Sequence, residues 1–432
     1  MRIKVIGGGL AGCEAAYRLA SDGYDVALYE MRGKVNTPCH STDSLAELVC
    51  SNSLKSVSDD TASGMLKKEL EMLGSMMLQC AYETAVPAGG ALAVDRIAFS
   101  RAVEERIGSM SNIEIIRQEV KEIDFTEPTI IATGPLTSAA LHEDMSLRFG
   151  CALHFYDAVA PIVDAASIDY DKAYFGARYD RGDADYLNCP MNKEEYLQFY
   201  RALIGADRVK LHSFESDEIF EGCMPVEVMA SRGEDTLRFG PLRPVGLRTP
   251  DGGKPYAVVQ LRKENLAGDA YNIVGFQTNL TFGEQKRVFG MIPALKDAEY
   301  LRYGVMHRNT YINAPDVLAS DFSLKEAPLV FVVGQLSGVE GYVESIASGL
   351  IGAINMSAKL SGRSAVVPPP TTITGALCNH VSTRSGNYQP MNANFGILPP
   401  LADKVRDKKE RKRAYTLRGI ADLSACLKDM NL

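Results

Sequence analysis

Two cysteines carry the side chains best suited to covalent chemistry in this sequence. Cys50 lies in the segment ELVCSNSLKS and Cys223 in EGCMP, so both thiols have polar or turn-forming neighbours. A thiolate is a strong nucleophile that can add to an electron-poor ring carbon. A free cysteine in a soluble protein is more often a small buried apolar residue, and each cysteine taken singly fits that alternative better.

A histidine and a basic segment are the other candidates for a functional role. His307, in VMHRN, could stack on a flat heterocycle or hydrogen-bond to it, although such a histidine is usually structural. Because no second histidine or acid stands at metal-ligand spacing, we predict no metal site. The run KVRDKKERKR could bind phosphates or form a solvated terminal helix. Its basic residues are Lys404, Arg406, Lys408, Lys409, Arg411, Lys412 and Arg413.

The N-terminal residues have the pattern of a nucleotide-binding unit. Residues 2–6 predict a buried strand, 7–12 a tight turn, 11–21 a helix and 25–30 a second strand. Gly7, Gly9 and Gly12 form a GxGxxG motif, whose backbone N–H groups can approach a pyrophosphate at the helix N-terminus. Glu30 ends the second strand and could accept hydrogen bonds from an adenosine ribose, which suits FAD or NAD. The alternative is a glycine turn with no ligand. The predicted cofactor-binding residues here are Gly7, Gly8, Gly9, Leu10, Ala11, Gly12 and Glu30.

The segment 330–349 repeats the order of strand, glycines and helix near the other end of the chain. We expect Gly334 and Gly341 to help close the same site. A helix N-terminus facing the pyrimidine edge of an isoalloxazine would stabilise the negative charge of a reduced flavin, which favours FAD over NAD. The alternative is that these small residues serve close helix packing.

Composition predicts a soluble α/β protein. The chain has 432 residues, of which 46% are hydrophobic, and its formal net charge is -8, which argues against indiscriminate coating of nucleic acid. We find no stretch typical of a membrane span or signal peptide, and no CxxC pair among the nine cysteines, so we predict a cytoplasmic protein with reduced thiols. Between about residues 150 and 310 the sequence changes to segments in which apolar and polar residues alternate, as in β-strands. We predict a Rossmann-like FAD/NAD(P)-binding domain from residues 1–95 and 310–432, with a mixed α+β domain inserted mainly over 96–309.

Several long segments together resemble one family. They include GGGLAGCEAA, ELVCSNSLKS, EGCMPVEVMASRGEDTLRFGPLRPVGL, YGVMHRNTYINAP, GQLSGVEGYVESIASGL and PPPTTITGAL. The chain resembles the methylenetetrahydrofolate–tRNA (uracil-5-)-methyltransferase family over almost its whole length. The resemblance implies an FAD domain built from both ends of the chain, an insertion between them, and synthesis of 5-methyluridine in the T-loop of tRNA.

The family's chemistry implies three small molecules and two cysteines. Methylenetetrahydrofolate would supply the carbon, FAD is the implied cofactor, and NADPH or NADH is the implied reductant. Cys223 matches the cysteine that adds to carbon 6 of uracil, so that carbon 5 becomes nucleophilic, and Cys50 matches the second cysteine, a candidate base. His307 matches a histidine that forms one wall of the pterin site, and Tyr342 lies beside the flavin motif. The basic run of residues 404–413 looks like the family's RNA-binding element, so the implied partner is tRNA; no obligate protein partner is evident.

Three other functions stay open at this point. The same chemistry could act on a uridine of 23S ribosomal RNA, and the catalytic residues would then be identical. A non-methylating, FAD-dependent NAD(P)H oxidoreductase is a second alternative, against which the presence of both Cys50 and Cys223 argues. A partner in tRNA wobble-uridine modification is a third, and would be expected to carry a long additional helical region at its C-terminus.

Overall fold

The computed structural model describes residues 1–37, 39–149, 152–180, 183–209, 224–384 and 388–429. For residues 152–157, 180, 307, 308 and 429 it describes the backbone alone. The strands are β1 (Arg2–Ile6), β2 (Asp25–Glu30), β3 (Ser53–Ser56), β4 (Ala85–Val86), β5 (Ala91–Val94), β6 (Ile113–Arg117), β7 (Thr129–Ile131), β8 (Ala152–Ala158), β9 (Ile162–Asp164), β10 (Tyr174–Phe175), β11 (Leu187–Met191), β12 (Ala257–Lys263), β13 (Ala270–Ile273), β14 (Tyr300–Arg302), β15 (Met306–Ile312) and β16 (Val330–Val332). The α-helices are α1 (Leu10–Ser21), α2 (Ala62–Met72), α3 (Met76–Glu83), α4 (Arg96–Gly108), α5 (Ala139–Phe149), α6 (Lys193–Ile204), α7 (Val226–Ser231), α8 (Thr236–Phe239), α9 (Phe282–Phe289), α10 (Ala314–Val317), α11 (Tyr342–Leu360), α12 (Ile373–Ser382) and α13 (Lys408–Asp429).

A five-stranded parallel sheet organises both ends of the chain. Its strand order is β16-β7-β1-β2-β6, and all of its pairs are parallel. The strands β1, β2, β7 and β16 are short and mostly buried, as expected when helices cover both faces. Helix α1 leads from β1 to β2 and packs against α11, which follows β16. The predicted strand, turn, helix and strand over residues 2–30 are therefore confirmed, and so is the α/β class with a Rossmann-like sheet.

A second, six-stranded sheet lies in the middle of the chain, in the order β10-β11-β12-β13-β9-β14, with antiparallel pairs throughout. It buries its own cluster of apolar side chains, which includes Tyr196, Phe199, Phe276 and Phe289, separate from the cluster around the first sheet. The change in sequence pattern near residue 150 thus lies close to the point where the chain passes from the parallel sheet to the six-stranded one.

Strand pairing differs from the expected start of the insertion at residue 96. Strands β6 and β7 pair with β2 and β1, so residues 113–131 contribute to the parallel sheet. The strands β8 and β15 form an antiparallel pair and lie at the two points where the chain passes between the parallel sheet and the six-stranded one. The short β7, with three residues, has too little periodicity to reveal its partner from sequence.

Within the described ranges, the search for helices long and apolar enough to cross a membrane finds none.

Candidate functional site

The glycine turn after β1 contains two glycines that the fold itself requires. Gly7 has a φ of +107°, and a Cβ there would come within 2.5 Å of the Ala132 carbonyl oxygen. A Cβ at Gly12 would overlap the Gly7 carbonyl oxygen. Gly9 differs, because a Cβ there would meet no atom within 4 Å. The open side of Gly9 is therefore available to a ligand.

The N-terminus of α1 fits an anionic ligand. Gly9 is its N-cap, and no side chain caps the helix. The first N–H groups of an α-helix have no partner within the helix and carry the positive end of its dipole. Gly9, Leu10 and Ala11 line a cleft in the protein surface.

The cleft lies at the carboxyl ends of four parallel strands, which is where open α/β sheets bind nucleotides. Its wall includes residues that follow β1, β2, β7 and β16, such as Arg32, Thr133, Gly134 and Gly334. The shape, the uncapped helix and the open glycine together fit a dinucleotide such as FAD.

Glu30 has more partners than its position in the motif indicates. Its carboxylate accepts hydrogen bonds from the backbone N–H of Gly8 (2.9 Å) and Arg32 (2.9 Å), and from Arg32 Nε (3.0 Å) and Nη2 (2.9 Å). Burial raises the pKa of this carboxyl, but the hydrogen bonds and charge of Arg32 outweigh burial, so the pKa is lowered. A carboxylate has about four lone-pair sites, and these contacts use all of them. Glu30 thus holds the turn and Arg32 in place at the cleft wall.

The second glycine segment packs closely on α1 and also reaches the cleft. Gly334 has a φ of +72°, and a Cβ at Gly349 would overlap the Ala11 carbonyl oxygen, so these glycines allow close packing on α1. Gly341 is the N-cap of α11, and no side chain caps that helix. Tyr342 and Ser345, in its first turn, line the cleft. A second helix N-terminus therefore meets the same cleft.

Cys50 is linked to this helix N-terminus by its backbone. The Tyr342 hydroxyl accepts hydrogen bonds from the N–H groups of Cys50 (2.8 Å) and Ser51 (3.2 Å). Burial raises the pKa of Tyr342 above its ordinary value, so the hydroxyl stays protonated. The Cys50 Sγ lies 3.9 Å from the Ala158 carbonyl oxygen, and the side chain is partly exposed. The backbone of Cys50 is thus held by a residue that lines the cleft, and its thiol lies beside the end of β8.

Two arginines that the sequence did not single out converge on the Cys50 carbonyl oxygen. Arg96 Nη2 lies 3.3 Å from it and Arg302 Nη2 3.2 Å from it. Glu264 pairs with Arg96 Nε at 2.6 Å. Burial and the charge of Arg96 lower the pKa of Arg302, yet a guanidinium remains charged at neutral pH. Two positive charges and one negative charge therefore surround this backbone position.

Four other cysteines are poor candidates for chemistry. Cys13, Cys80, Cys189 and Cys378 are buried. Burial raises the pKa of Cys80 to about 11 and that of Cys189 to about 12, and it raises the pKa of Cys13 and Cys378 further. Because the thiolate is the reactive form, these thiols are inert packing residues.

His307 and Cys223 are the two predicted site residues whose side chains the structure does not describe. His307 lies in β15, where its backbone pairs with Asp157. The preceding pair joins Met306 to Ala158, the residue whose carbonyl lies beside the Cys50 thiol. The backbone of His307 is therefore close to Cys50. Cys223 lies outside the described residues.

The described residues on either side of Cys223 attach to one short segment. The Val209 N–H donates to the Asn279 carbonyl (2.9 Å), and the Val226 N–H donates to the Gln277 carbonyl (2.7 Å). The buried Glu227 carboxylate accepts from the Thr278 hydroxyl (2.9 Å) and the Asn279 N–H (2.8 Å). Burial raises the pKa of Glu227. Both flanks of the Cys223 segment are thus anchored at residues 277–279.

The basic run forms the approach to and the start of α13. Asp407 accepts hydrogen bonds from the N–H groups of Lys409 (2.9 Å) and Glu410 (2.8 Å), so it caps the helix. Five of the seven basic residues lie in the first two turns, where positive charge opposes the helix dipole. They are exposed except for the half-buried Lys412. The placement of these charges therefore does not stabilise the helix.

Comparison with known proteins identifies relatives of this chain. Residues 2–364 match the family model described as "Glucose inhibited division protein A". The chain is 55% identical over 416 residues to the "Methylenetetrahydrofolate--tRNA-(uracil-5-)-methyltransferase TrmFO" of Natranaerobius thermophilus, with 96% of each chain covered. It is 52% identical over 433 residues to the protein of the same name from Lactobacillus johnsonii, covering 100% of this chain and 99% of that one.

Among solved structures, two crystal forms of Aquifex aeolicus GidA share the fold. Their TM-scores are 0.69 and 0.70 at 15% and 14% sequence identity. Each covers the whole of this chain, which in turn covers 76% and 78% of the GidA chain. At this identity the likeness concerns the fold: a parallel FAD-type sheet with a further sheet between its halves.

Proposed function

This chain belongs to the methylenetetrahydrofolate–tRNA-(uracil-5-)-methyltransferase family, and on that premise we propose which of its residues carry out the reaction and where on tRNA it occurs. The reaction is folate- and FAD-dependent C5-methylation of uridine in tRNA, which yields 5-methyluridine. The observation that carries this function is identity above 50% with named relatives over essentially the full length. We place the modified uridine in the T-loop, NADPH or NADH as the reductant, and the enzyme in the cytoplasm.

The cleft is the proposed FAD site. Gly9, Leu10 and Ala11 would receive the pyrophosphate, because Gly9 leaves space and the α1 N-terminus supplies uncompensated N–H groups. The α11 N-terminus at Gly341 would face the flavin ring. When bound, FAD supplies the electrons needed to turn a methylene into a methyl group. The proposed FAD domain comprises the chain before β8 and after β15, with the six-stranded sheet as the insertion.

Cys223 is the proposed nucleophile toward uracil. Its thiolate would form a C–S bond at carbon 6, and the electron pair of the ring double bond would make carbon 5 nucleophilic toward the one-carbon unit of methylenetetrahydrofolate. Loss of the carbon 5 proton to a base would then restore the double bond and expel the thiolate. The two electrons that FAD supplies would break the bond between the transferred carbon and its carrier nitrogen, which leaves a methyl group on carbon 5 and releases tetrahydrofolate. The described residues on either side of Cys223, Val209 and Val226, are both hydrogen-bonded to residues 277–279.

Cys50 is the proposed base or second thiol of the reaction. Its backbone is held by Tyr342, which lines the cleft, and by Arg96 and Arg302. Guanidinium groups beside the backbone of a cysteine provide the kind of electropositive surroundings that reactive cysteines have. His307, close by in β15, is the proposed wall of the pterin site.

The alternatives are less favoured. The relatives carry names that specify tRNA, which argues against 23S ribosomal RNA as the substrate. A non-methylating oxidoreductase would have no use for a partly exposed Cys50 held beside the cleft.

The test incubates the holoenzyme with methylene-labelled folate, NADPH and unmodified tRNA or ribosomal RNA, and then locates the label. We expect label in 5-methyluridine of the T-loop. Cys223→Ala should retain FAD and its reduction by NADPH, yet form neither 5-methyluridine nor a covalent complex with RNA containing 5-fluorouracil. If Cys223→Ala still traps that RNA while Cys50→Ala does not, the two cysteine roles are exchanged. Label in ribosomal RNA alone would refute the assigned substrate.

A further inference from the structure

Three aromatic rings form a ladder beside the loop that carries Cys50. The rings of Tyr300 and Tyr303 stack with centroids 4.9 Å apart and an interplanar angle of 6°. The ring of Phe282 continues the stack, 4.7 Å from Tyr303 at 18°. We call Tyr300, Tyr303 and Phe282 the aromatic ladder. Its inner member packs against the core of the six-stranded sheet, whereas Phe282 is 53% exposed.

The ladder differs from the other rings of this cluster in ending at the surface. In the same apolar cluster, the buried Tyr196 stacks on Tyr200 at 21° and Phe276 meets Phe289 edge to face at 77°, whereas the ladder rings are nearly parallel and end at the exposed Phe282. A single exposed apolar side chain needs no explanation. A parallel stack that ends in an exposed ring presents a flat face, which is the feature that aromatic side chains offer to unpaired nucleobases.

The backbone that carries the ladder is fixed firmly. The buried Gln285 side chain donates to the Gly304 carbonyl (2.8 Å) and accepts from the Gly304 N–H (2.8 Å). A Cβ at Gly304 would come within 2.7 Å of the Val159 carbonyl oxygen. Tyr303 is therefore held between two constrained neighbours, Arg302 and Gly304.

The ladder is close to the reacting region by two routes. Arg302, the residue before Tyr303, reaches the Cys50 carbonyl oxygen at 3.2 Å. Gly304, the residue after it, packs against Val159, which follows the residue whose carbonyl lies 3.9 Å from the Cys50 thiol. At the outer end, Phe282 comes three residues after Asn279, to which the flank of the Cys223 segment is hydrogen-bonded. The ladder thus lies between the anchors of the two cysteines.

We infer that the aromatic ladder is a stacking platform for an unpaired base of the RNA substrate, one that neighbours the target uridine. This inference rests on the proposed function, because it names a part of the same site that receives the RNA. A uridine inside a folded loop must leave its stack to reach a thiolate, and its neighbours then lose stacking partners. A protein ring that replaces the lost stacking lowers the cost of that opening.

A folate or nicotinamide ring is the less favoured occupant. Small-molecule sites bury roughly 70–90% of their ligand in concave pockets, whereas Phe282 is more than half exposed and does not belong to the lining of the cleft. The positive charge next to the ladder at Arg302, and the exposed Lys286 one turn from Phe282, suit a strand with a phosphate backbone.

The chain offers a clean reporter because it contains no tryptophan. Phe282→Trp would place a single indole at the outer end of the ladder, and Tyr82→Trp would place one at a position of similar exposure on α3, 43% against 53%. We expect a T-arm hairpin RNA to quench the fluorescence of Phe282→Trp holoenzyme and to leave that of Tyr82→Trp unchanged. Equal responses of the two, or quenching of Phe282→Trp by folate or NADPH but not by RNA, would overturn the inference.

A loss-of-ring variant supplies the second measurement. Phe282→Leu keeps an apolar side chain but removes the stacking face, so RNA affinity should fall by roughly 5- to 150-fold. FAD content and flavin reduction by NADPH should stay at the wild-type level, Phe282→Trp should restore RNA affinity, and Tyr82→Leu should have no effect on it. Wild-type affinity of Phe282→Leu would refute the platform while leaving the proposed function intact. Failure of the wild-type enzyme to methylate the same RNA would refute the function itself.

Discussion

Substitution of Gly9 by valine should remove FAD without unfolding the chain. A Cβ at Gly9 meets no protein atom within 4 Å, so the branched side chain can be accommodated by the fold. It would occupy the space beside the N–H groups at the start of α1, through which a pyrophosphate must approach. The substitution thus separates ligand binding from folding at a single position.

The magnitude follows from the contacts that the side chain would block. A hydrogen bond to a charged group contributes about 1.5–3 kcal/mol. Loss of two such bonds from helix N–H groups to the pyrophosphate would cost about 3–6 kcal/mol, which corresponds to a roughly 10²- to 10⁴-fold weaker FAD affinity. Gly9→Ala, with one methyl group, should show a smaller loss.

Gly12→Ala is the matched control, because a Cβ there overlaps the Gly7 carbonyl oxygen. Relief of that overlap should destabilise the chain by about 1–3 kcal/mol or more. Flavin absorbance of the purified proteins reports occupancy, titration of FAD into flavin-free protein reports affinity, and urea unfolding of the same samples reports stability. Full FAD occupancy in Gly9→Val, or a loss of stability in Gly9→Val equal to that in Gly12→Ala, would refute the assignment of the open side of Gly9 to the pyrophosphate.

Three further predictions follow from other parts of the structure. Replacement of the seven basic residues between Lys404 and Arg413 by glutamine should weaken tRNA binding and flatten its salt dependence, while flavin reduction by NADPH stays unchanged. An unaltered tRNA affinity would instead indicate that these residues form only a solvated helix end. Tyr342→Phe leaves two backbone N–H groups, at Cys50 and Ser51, without their acceptor, at about 1–3 kcal/mol each, so methylation and thermal stability should both fall, and an unchanged melting temperature would contradict this. Burial raises the pKa of Glu69 to about 7, although the hydrogen bonds that its carboxylate accepts from Ile373 and Thr374 lower the pKa. The folded state therefore holds a proton that the unfolded state releases between pH 4.5 and 7, and the unfolding free energy should fall by roughly 3 kcal/mol across that window. Glu69→Gln should abolish this part of the pH dependence in urea unfolding, and an identical slope in wild type and variant would refute it.

The nucleotide-binding unit could be predicted from sequence because its determinants are local. The glycines, the first helix and the strand ends all lie within the first thirty residues, and their order follows from backbone geometry. The hydrogen bonds between Glu30 and Arg32 join residues only two positions apart, but Arg32 lies in the turn after β2, where no regular pattern fixes its side chain. The role of Glu30 as a ribose ligand stays a prediction.

The placement of β6 and β7 could not be predicted in the same way. Strand β6 has only half-buried and exposed positions, so it lacks the pattern of a buried parallel strand, and β7, although fully buried, is only three residues long, which is too short to reveal its neighbours. Their pairing with β2 and β1 depends on contacts across about ninety residues or more of chain. Such pairing is a property of the assembled sheet and leaves little trace in the local sequence.

The surroundings of Cys50 were the least predictable part of the site, and they explain how the two sheets cooperate. The residues that hold the loop of Cys50 come from four separate elements: Tyr342 from α11, Arg96 from α4, and Arg262 and Arg302 from the six-stranded sheet. Each of these contacts joins residues more than forty positions apart, so no local spacing in the sequence predicts them. Because the parallel sheet supplies the flavin cleft and the six-stranded sheet supplies two of the arginines, the thiol reaches its position only when both sheets are docked. A cysteine that looks like an ordinary small apolar residue in isolation is thereby held both by Tyr342, which lines the cleft, and by Arg302, which precedes Tyr303 of the aromatic ladder.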